Sequence, residues 1–275
     1  MRRIQIRARA IGIAAIVASI GCAASAPAPA SPPHEQTVPE AIYEELQPVA
    51  LKNCTLKRFG SRNDGGYLMC ENLVDGVRSA YSYGIDTEDN WGCDVSREYK
   101  VPVHQYDCFT EHRPTCDGGT FVFHDECVGP KAETIKGQPF DSVTNQIAKN
   151  GDAGKPLLIK MDVEGAEWDS LMATPDEVLD RFVQLPMELH GTSERRFVET
   201  IRKLKKTFYV VNLHFNNWAC TTAAPPLLST AYQVLLVNKR YAVVDEKAPK
   251  PAPSSPLNAP DARERPECQP APLEK

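Results

Sequence analysis

Several acids and histidines of this chain stand where an apolar run ends, the place at which a strand hands a side chain to a crevice. The run Pro156–Met161 leads straight into Asp162, with Glu164 and Glu167 close behind. Acids there also suit a helix start, where they cap N–H groups and meet the dipole. Asp162, the first residue after the run, is the one aimed at the crevice. Glu188 and His190 close the run Phe182–Leu189; a period of two turns both to one face of a strand. An imidazole beside a carboxylate is a general-base pair. His190 is therefore the first candidate base with Glu188 orienting it, and Asp162 is the second. A divalent metal held by Asp162 and its neighbours could also lower the pKa of a hydroxyl. No clear ligand triad is legible, so no metal is assigned. His124 and His214 end two further runs and complete a possible basin.

A second set of residues suggests a ligand. Gly84 closes the run Ser79–Tyr83, and Asp107 closes the next one, 23 positions later. In nucleoside-binding sheets an acid about 20 residues past the first glycine turn bonds the ribose hydroxyls. The loop GIDTEDN (84–90) has no GxGxxG run and carries Asp86, Glu88 and Asp89. It is a poor host for a pyrophosphate and a suitable one for an adenosine bearing a positive centre. That favours S-adenosylmethionine, a sulfonium, over NAD. Asn63-Asp64-Gly65-Gly66-Tyr67 has the composition of a tight turn.

The elements that must position these groups alternate. Strands are expected at 79–83, 101–106, 120–123, 156–161, 182–189, 208–215 and 232–238. Helices are expected at 91–99, at 140–149 with Phe140, Val143 and Ile147 on one face, and at 193–206 with Phe197, Ile201 and Leu204 on one face. Strands with helices between them imply crossover units and a layered α/β domain. The expected fold is a Rossmann-like, mostly parallel sheet of seven strands with helices on both faces. Its last two strands form an antiparallel hairpin at one edge.

The 275 residues carry 31 Lys+Arg and 36 Asp+Glu, a formal charge of −5, which argues against an electrostatic nucleic-acid binder. Of the 23 prolines, 13 lie in residues 27–39 and 247–275. Such segments are expected to stay extended. The expected organisation is a targeting segment at 1–26, a Pro/Ala-rich linker at 27–40, a folded domain at 41–246 and a disordered tail at 247–275. Arg2, Arg3, Arg7 and Arg9 precede the uncharged stretch 10–26, the plan of a cleaved signal peptide or a single membrane anchor. Either places the domain in the secretory pathway, secreted or held on the lumenal side. Of nine cysteines, eight lie beyond that segment, which suggests disulfides of unspecified pairing.

With these residues placed, IKMDVEGAEWDSL (159–171) resembles the signature of FkbM-like methyltransferases, a branch of the class I S-adenosylmethionine-dependent enzymes. RFGSRNDGGYLMC (58–70) and AYSYGIDTEDNW (80–91) resemble the version found in methyltransferase-like secretory-pathway proteins. FVFHDECVG (121–129), QLPMELHG (184–191) and VVNLHFNNW (210–218) are similar to later blocks of the family. The resemblance covers about residues 55–241. It implies that Gly84 and Ile85 line the methionine end of the cofactor, Asp107 holds the ribose and Asp125 sits by the adenine. It also implies that Asp162 and Glu164 face the reacting methyl, and that Asp64 and Gly66 form a flap on the cofactor. The expected activity is O-methylation of a sugar or small-molecule hydroxyl. An NAD-dependent oxidoreductase or epimerase, and a secreted non-catalytic carbohydrate-binding or scaffold protein on the same fold, are the alternatives.

Overall fold

A computed structural model describes residues 35–270. The targeting segment 1–26 and most of the 27–40 linker lie outside the described residues. In chain order the elements are α1 (Val38–Glu45), β1 (Leu56–Gly60), β2 (Gly66–Cys70), β3 (Ser79–Tyr83), α2 (Asn90–Tyr99), β4 (Pro102–Tyr106), β5 (Thr120–His124), β6 (Cys127–Gly129), β7 (Glu133–Ile135), β8 (Gln138–Ser142) and α3 (Val143–Lys149). They continue with β9 (Leu157–Met161), α4 (Glu167–Ala173), α5 (Asp176–Leu179), β10 (Phe182–His190), α6 (Arg195–Thr207), β11 (Phe208–Phe215) and β12 (Ala231–Asn238).

Seven strands form the main sheet in the order β11-β12-β10-β9-β3-β4-β5. The β3–β4, β4–β5, β3–β9 and β9–β10 ladders are parallel, whereas β12 runs antiparallel to both of its neighbours. The final pair is thus the expected antiparallel hairpin, but β12 is inserted next to β10 and β11 takes the edge. Chain order reverses between β3 and β9, the switch point at which an open α/β sheet leaves its crevice.

Alternation along each strand sends neighbours to opposite faces. Tyr81, Tyr83, Ile159, Met161, Leu185 and Met187 join a core with Trp168 of α4 and with Phe197, Ile201 and Leu204 of α6. Ala80, Val103, Leu158 and Val183 join another with Trp91 and Val95 of α2 and with Phe59, Tyr67 and Met69 of the β1–β2 hairpin. Every residue of β3, β9 and β12 is buried, as expected of central strands covered on both faces.

Three boundaries depart from expectation. Residues 37–40 belong to a helix start, not the linker. Thr37 accepts from the Glu40 amide while Glu40 accepts from the Thr37 amide, a capping box that outweighs the nearby prolines. The helix expected from Phe140 begins at Val143, because Phe140 and Asp141 pair in the small sheet β6-β8-β7 and Ser142 provides the cap. The Pro-rich tail, expected to be disordered, lies on the domain over most of its described length. The Leu213 amide donates to Pro253, Asn63 Nδ2 donates to the Pro260 carbonyl, and Asn217 exchanges hydrogen bonds with both the amide and the carbonyl of Ala262. Asp261, Ala262 and Cys268 are buried. The strap is held by backbone groups, asparagines and a disulfide, so its low apolar content does not leave it free.

All eight cysteines beyond Cys22 are paired: Cys54–Cys70, Cys93–Cys116, Cys108–Cys127 and Cys220–Cys268. Four disulfides fit an oxidising, extracytoplasmic compartment. Among the described residues no helix is long and apolar enough to cross a membrane.

Candidate functional site

The carboxyl ends of β3, β4, β9 and β10 open into a cleft of about 640 Å³. Among the described residues, eight acidic side chains line it (Asp64, Asp86, Glu88, Asp89, Asp107, Asp162, Glu164 and Glu188), against one ammonium, that of Lys160. That ammonium is already committed. Lys160 Nζ donates to the Gly84 carbonyl, sits 3.7 Å from Asp162 Oδ2 and lies over the Tyr67 ring. The field in the cleft is therefore negative, which attracts cations and repels phosphates.

At the end of β3, Gly84 has a φ of +72°, and a Cβ there would overlap the Asp162 carbonyl oxygen. Only glycine lets the β3 turn pass so close to the β9 turn. Asp107, after β4, binds both neighbouring turns. Its Oδ2 accepts from the amides of Ile85 and Asp86 at 3.1 and 3.2 Å, and its Oδ1 from those of Phe109 and Thr110 at 2.8 and 3.2 Å. A carboxylate so engaged braces the loops on either side of a nucleoside-sized space. Gly84, Ile85, Asp107 and Asp64 all line the cleft. Gly66 does not: it opens β2, and Asp64 and Gly65 reach the cleft instead.

Asp125 is exposed and does not line the cleft. The wall expected from it is built by Cys127 and Val128 of β6 with Phe140 of β8. The Cys108–Cys127 disulfide ties that wall to the turn after Asp107. Two of the strand-end histidines also lie elsewhere. His124 contacts His104 at 3.1 Å and stacks on Tyr106. His214 lies 3.1 Å from Ser254 of the C-terminal strap.

Around His190 the residues converge. Its Nε2 lies 3.5 Å from Glu164 Oε2, 3.8 Å from Glu188 Oε1 and 3.9 Å from Asp162 Oδ1. The expected orienting role of Glu188 needs correction. The other ring nitrogen, Nδ1, is 3.2 Å from Oε1 of Glu167, a fully buried carboxylate that also accepts from the His190 amide at 2.7 Å. Glu167 was legible only as a helix-start acid. Its spacing of five from Asp162 carries no signal that the α4 start returns beneath β10. Glu188 has a different anchor, Asn216 Nδ2 at 2.7 Å, and Asp162 Oδ2 accepts from the buried Tyr67 hydroxyl at 2.6 Å. Neither Tyr67 nor Asn216 stands out in the sequence, although both lie in blocks that carry the resemblance.

Burial alone would lower the His190 pKa. The Glu167 hydrogen bond and the charges of Glu167, Glu188 and Asp162 outweigh it and push the group up. Burial, followed by the charges of Asp162 and Asp261, pushes Glu188 up as well.

The strap reaches this site through the turn after β11. Asn217 Nδ2 donates to the carbonyls of Ala262 and Arg265, and its neighbour Asn216 holds Glu188. Beside it, Asp261 Oδ1 accepts from Gln233 while Oδ2 lies 3.8 Å from His214 Nε2. Those two groups are not an ion pair. Burial and Arg58 lower His214 to about 4, and burial and Asp64 raise Asp261 to about 7. A carboxyl raised on folding contributes stability that is fully present below its unfolded pKa and lost as pH rises through the folded value. Asp261→Asn keeps the acceptor for Gln233 and removes the titration. Its unfolding free energy relative to the parent is expected to improve by about 2 kcal/mol between pH 5 and pH 8. Urea titrations at the two pH values check this; a difference that does not change with pH contradicts it.

Comparison with known proteins finds no matching protein family, no matching curated protein and no matching solved structure.

Proposed function

We propose that the cleft binds S-adenosylmethionine and that the chain is a methyltransferase acting on a hydroxyl of a sugar or small molecule. The observation that carries this reading is the composition of the cleft: among the described residues, eight acidic side chains and one committed lysine around about 640 Å³ at the switch point of a Rossmann-like sheet. Such a volume suits a ligand of nucleoside size, and such a field suits a sulfonium while opposing the pyrophosphate of NAD. The seven-stranded sheet with its antiparallel hairpin agrees with the class I fold that the resemblance implies.

When bound, the sulfonium supplies an already activated methyl group. What remains for the protein is to hold the acceptor in line and take its proton. His190 Nε2 is the proton acceptor, since Nδ1 is committed to Glu167 and Nε2 faces the cleft carboxylates. Those carboxylates favour its protonated form, so the base is the neutral imidazole fraction, which grows as pH rises. Methyl transfer from the sulfonium would release the thioether, and His190 Nε2 would hold the proton given up by the acceptor hydroxyl. Asp107 ties the two loops to each other, and Tyr67 and Lys160 fix Asp162 at the floor.

Transfer of labelled methyl from S-adenosylmethionine to a panel of sugars and small hydroxyl compounds tests the reading. Transfer to oxygen is expected, falling about 10²- to 10⁴-fold in His190→Ala. Unchanged turnover in that variant removes His190 from the base role. No transfer to any acceptor counts against the activity.

A further inference from the structure

We infer that Asp162, Glu164 and His190 form a binding site for one divalent cation of the Mn²⁺ class. One ligand atom from each of the three lies within 4.8 Å of the other two, and His190 Nε2 is 3.9 Å from Asp162 Oδ1 and 3.5 Å from Glu164 Oε2. Donors that share a cation at about 2.0–2.4 Å stand roughly 3–4.8 Å apart, so all three reach one ion with small side-chain adjustments.

The surroundings of the donors match what a metal site needs. A metal-bound histidine gives its second ring nitrogen to a carboxylate that fixes ring and tautomer. His190 Nδ1 has that partner in Glu167, which is fully buried and doubly anchored by the amides of His190 and Gly165. In the tautomer that this partner favours, with the proton on Nδ1, the Nε2 lone pair would point to where a cation shared with the two carboxylates sits. Ligating carboxylates are themselves hydrogen-bonded on the oxygen that does not face the ion. Asp162 Oδ2 accepts from the buried Tyr67 hydroxyl, leaving Oδ1 toward His190. The Glu167–Gly165 bond also steadies the turn that carries Glu164. Glu188 stands 3.8 Å from Nε2 and is placed to meet the ion directly or through water.

The donor set selects the ion. One imidazole with two or three carboxylates and no thiolate is a mixed hard and borderline site. Carboxylates suit Mg²⁺, Ca²⁺ and Mn²⁺ while imidazole favours the transition metals, and Mn²⁺ satisfies both. The ion's remaining positions open to the cleft, since Asp162 and Glu164 both line it. The site stands on this geometry alone. With the ion bound, Nε2 is a ligand and takes no proton; activation of the acceptor hydroxyl by the ion, which rests in addition on the methyltransferase reading, then replaces the base role that Nε2 has in the metal-free chain.

The test uses the full folded chain with its disulfides intact, stripped of metal by EDTA and titrated with MnCl₂ without S-adenosylmethionine. Free Mn²⁺ is followed by room-temperature EPR, and the frozen complex by electron spin echo modulation for ¹⁴N of a bound imidazole. One Mn²⁺ per chain at micromolar affinity with ¹⁴N modulation is expected. His190→Gln abolishes the modulation and weakens binding at least 10-fold. Glu164→Gln, at an exposed side chain that leaves folding intact, also weakens it at least 10-fold. Glu167→Gln weakens it less and keeps the modulation. Circular dichroism confirms that each variant is folded. Failure to bind at millimolar Mn²⁺ overturns the proposal. So does Mn²⁺ bound without ¹⁴N modulation and indifferent to both Glu164→Gln and His190→Gln, a result that places the ion on the acidic 86–89 loop. Neither result bears on cofactor binding, which is measured on metal-free protein.

Discussion

Gly84→Ala is expected to destabilise the protein by about 3 kcal/mol or more. Two effects add. The backbone at Gly84 has a φ of +72°, which an L side chain adopts at a cost of roughly 1–2 kcal/mol. The new methyl also overlaps the Asp162 carbonyl oxygen, and that oxygen cannot withdraw easily. Asp162 donates its amide to Tyr83, and β3 and β9 are paired along their whole length. Gly151 isolates the first effect: it shares the φ of +72°, but a methyl added there would meet nothing within 4 Å. Gly151→Ala should cost only about 1 kcal/mol. Chemical denaturation of both variants measures the difference. Equal costs would mean that the β3 and β9 turns are not in contact, and the cleft floor would have to be redrawn.

Replacing Cys220 and Cys268 together by Ser is the second large perturbation. The disulfide closes a loop with a sequence separation of 48. Loop-closure entropy assigns a link of that length about 4 kcal/mol. In a domain of this size the melting temperature is expected to fall by roughly 10 °C. The effect reaches the site as well, because the strap fixes Asn217 and the adjacent Asn216 holds Glu188. Thermal melts of the oxidised parent and the double variant decide it. A change under about 2 °C would show that residues 251–268 are an appendage and not part of the fold.

The layered α/β architecture was legible because its central strands are short apolar runs ending in polar residues. Pro156–Met161 followed by Asp162 gave β9 and its crevice acid together. The small elements were not legible. The β1–β2 hairpin and the sheet β6-β8-β7 consist of segments of three to five residues whose burial comes from tertiary contacts. The strap defies the expectation of disorder because its anchors are polar and distant. Asn212 bonds Asn258, and Asn217 bonds Ala262, pairs 46 and 45 residues apart that leave no local pattern. The same limit hid Glu167. Period-two logic brought Glu188 and His190 to one face, and they do approach at 3.8 Å. No periodicity relates a helix start to the end of the following strand, so the carboxylate that orients His190 emerged only from the three-dimensional arrangement. Asp125 falls outside the cleft for a comparable reason. The chain turns into β6 immediately after it, and the next residues inward, Cys127 and Val128, form the wall.

The acidic cleft at the switch point is proposed to hold a sulfonium nucleoside. Isothermal titration calorimetry of the metal-free, disulfide-bonded chain against S-adenosylmethionine, with NAD as the parallel titrant, tests it most directly. One S-adenosylmethionine per chain, with no heat from NAD, is the predicted result. No binding at millimolar S-adenosylmethionine, or binding of NAD in its place, would contradict it.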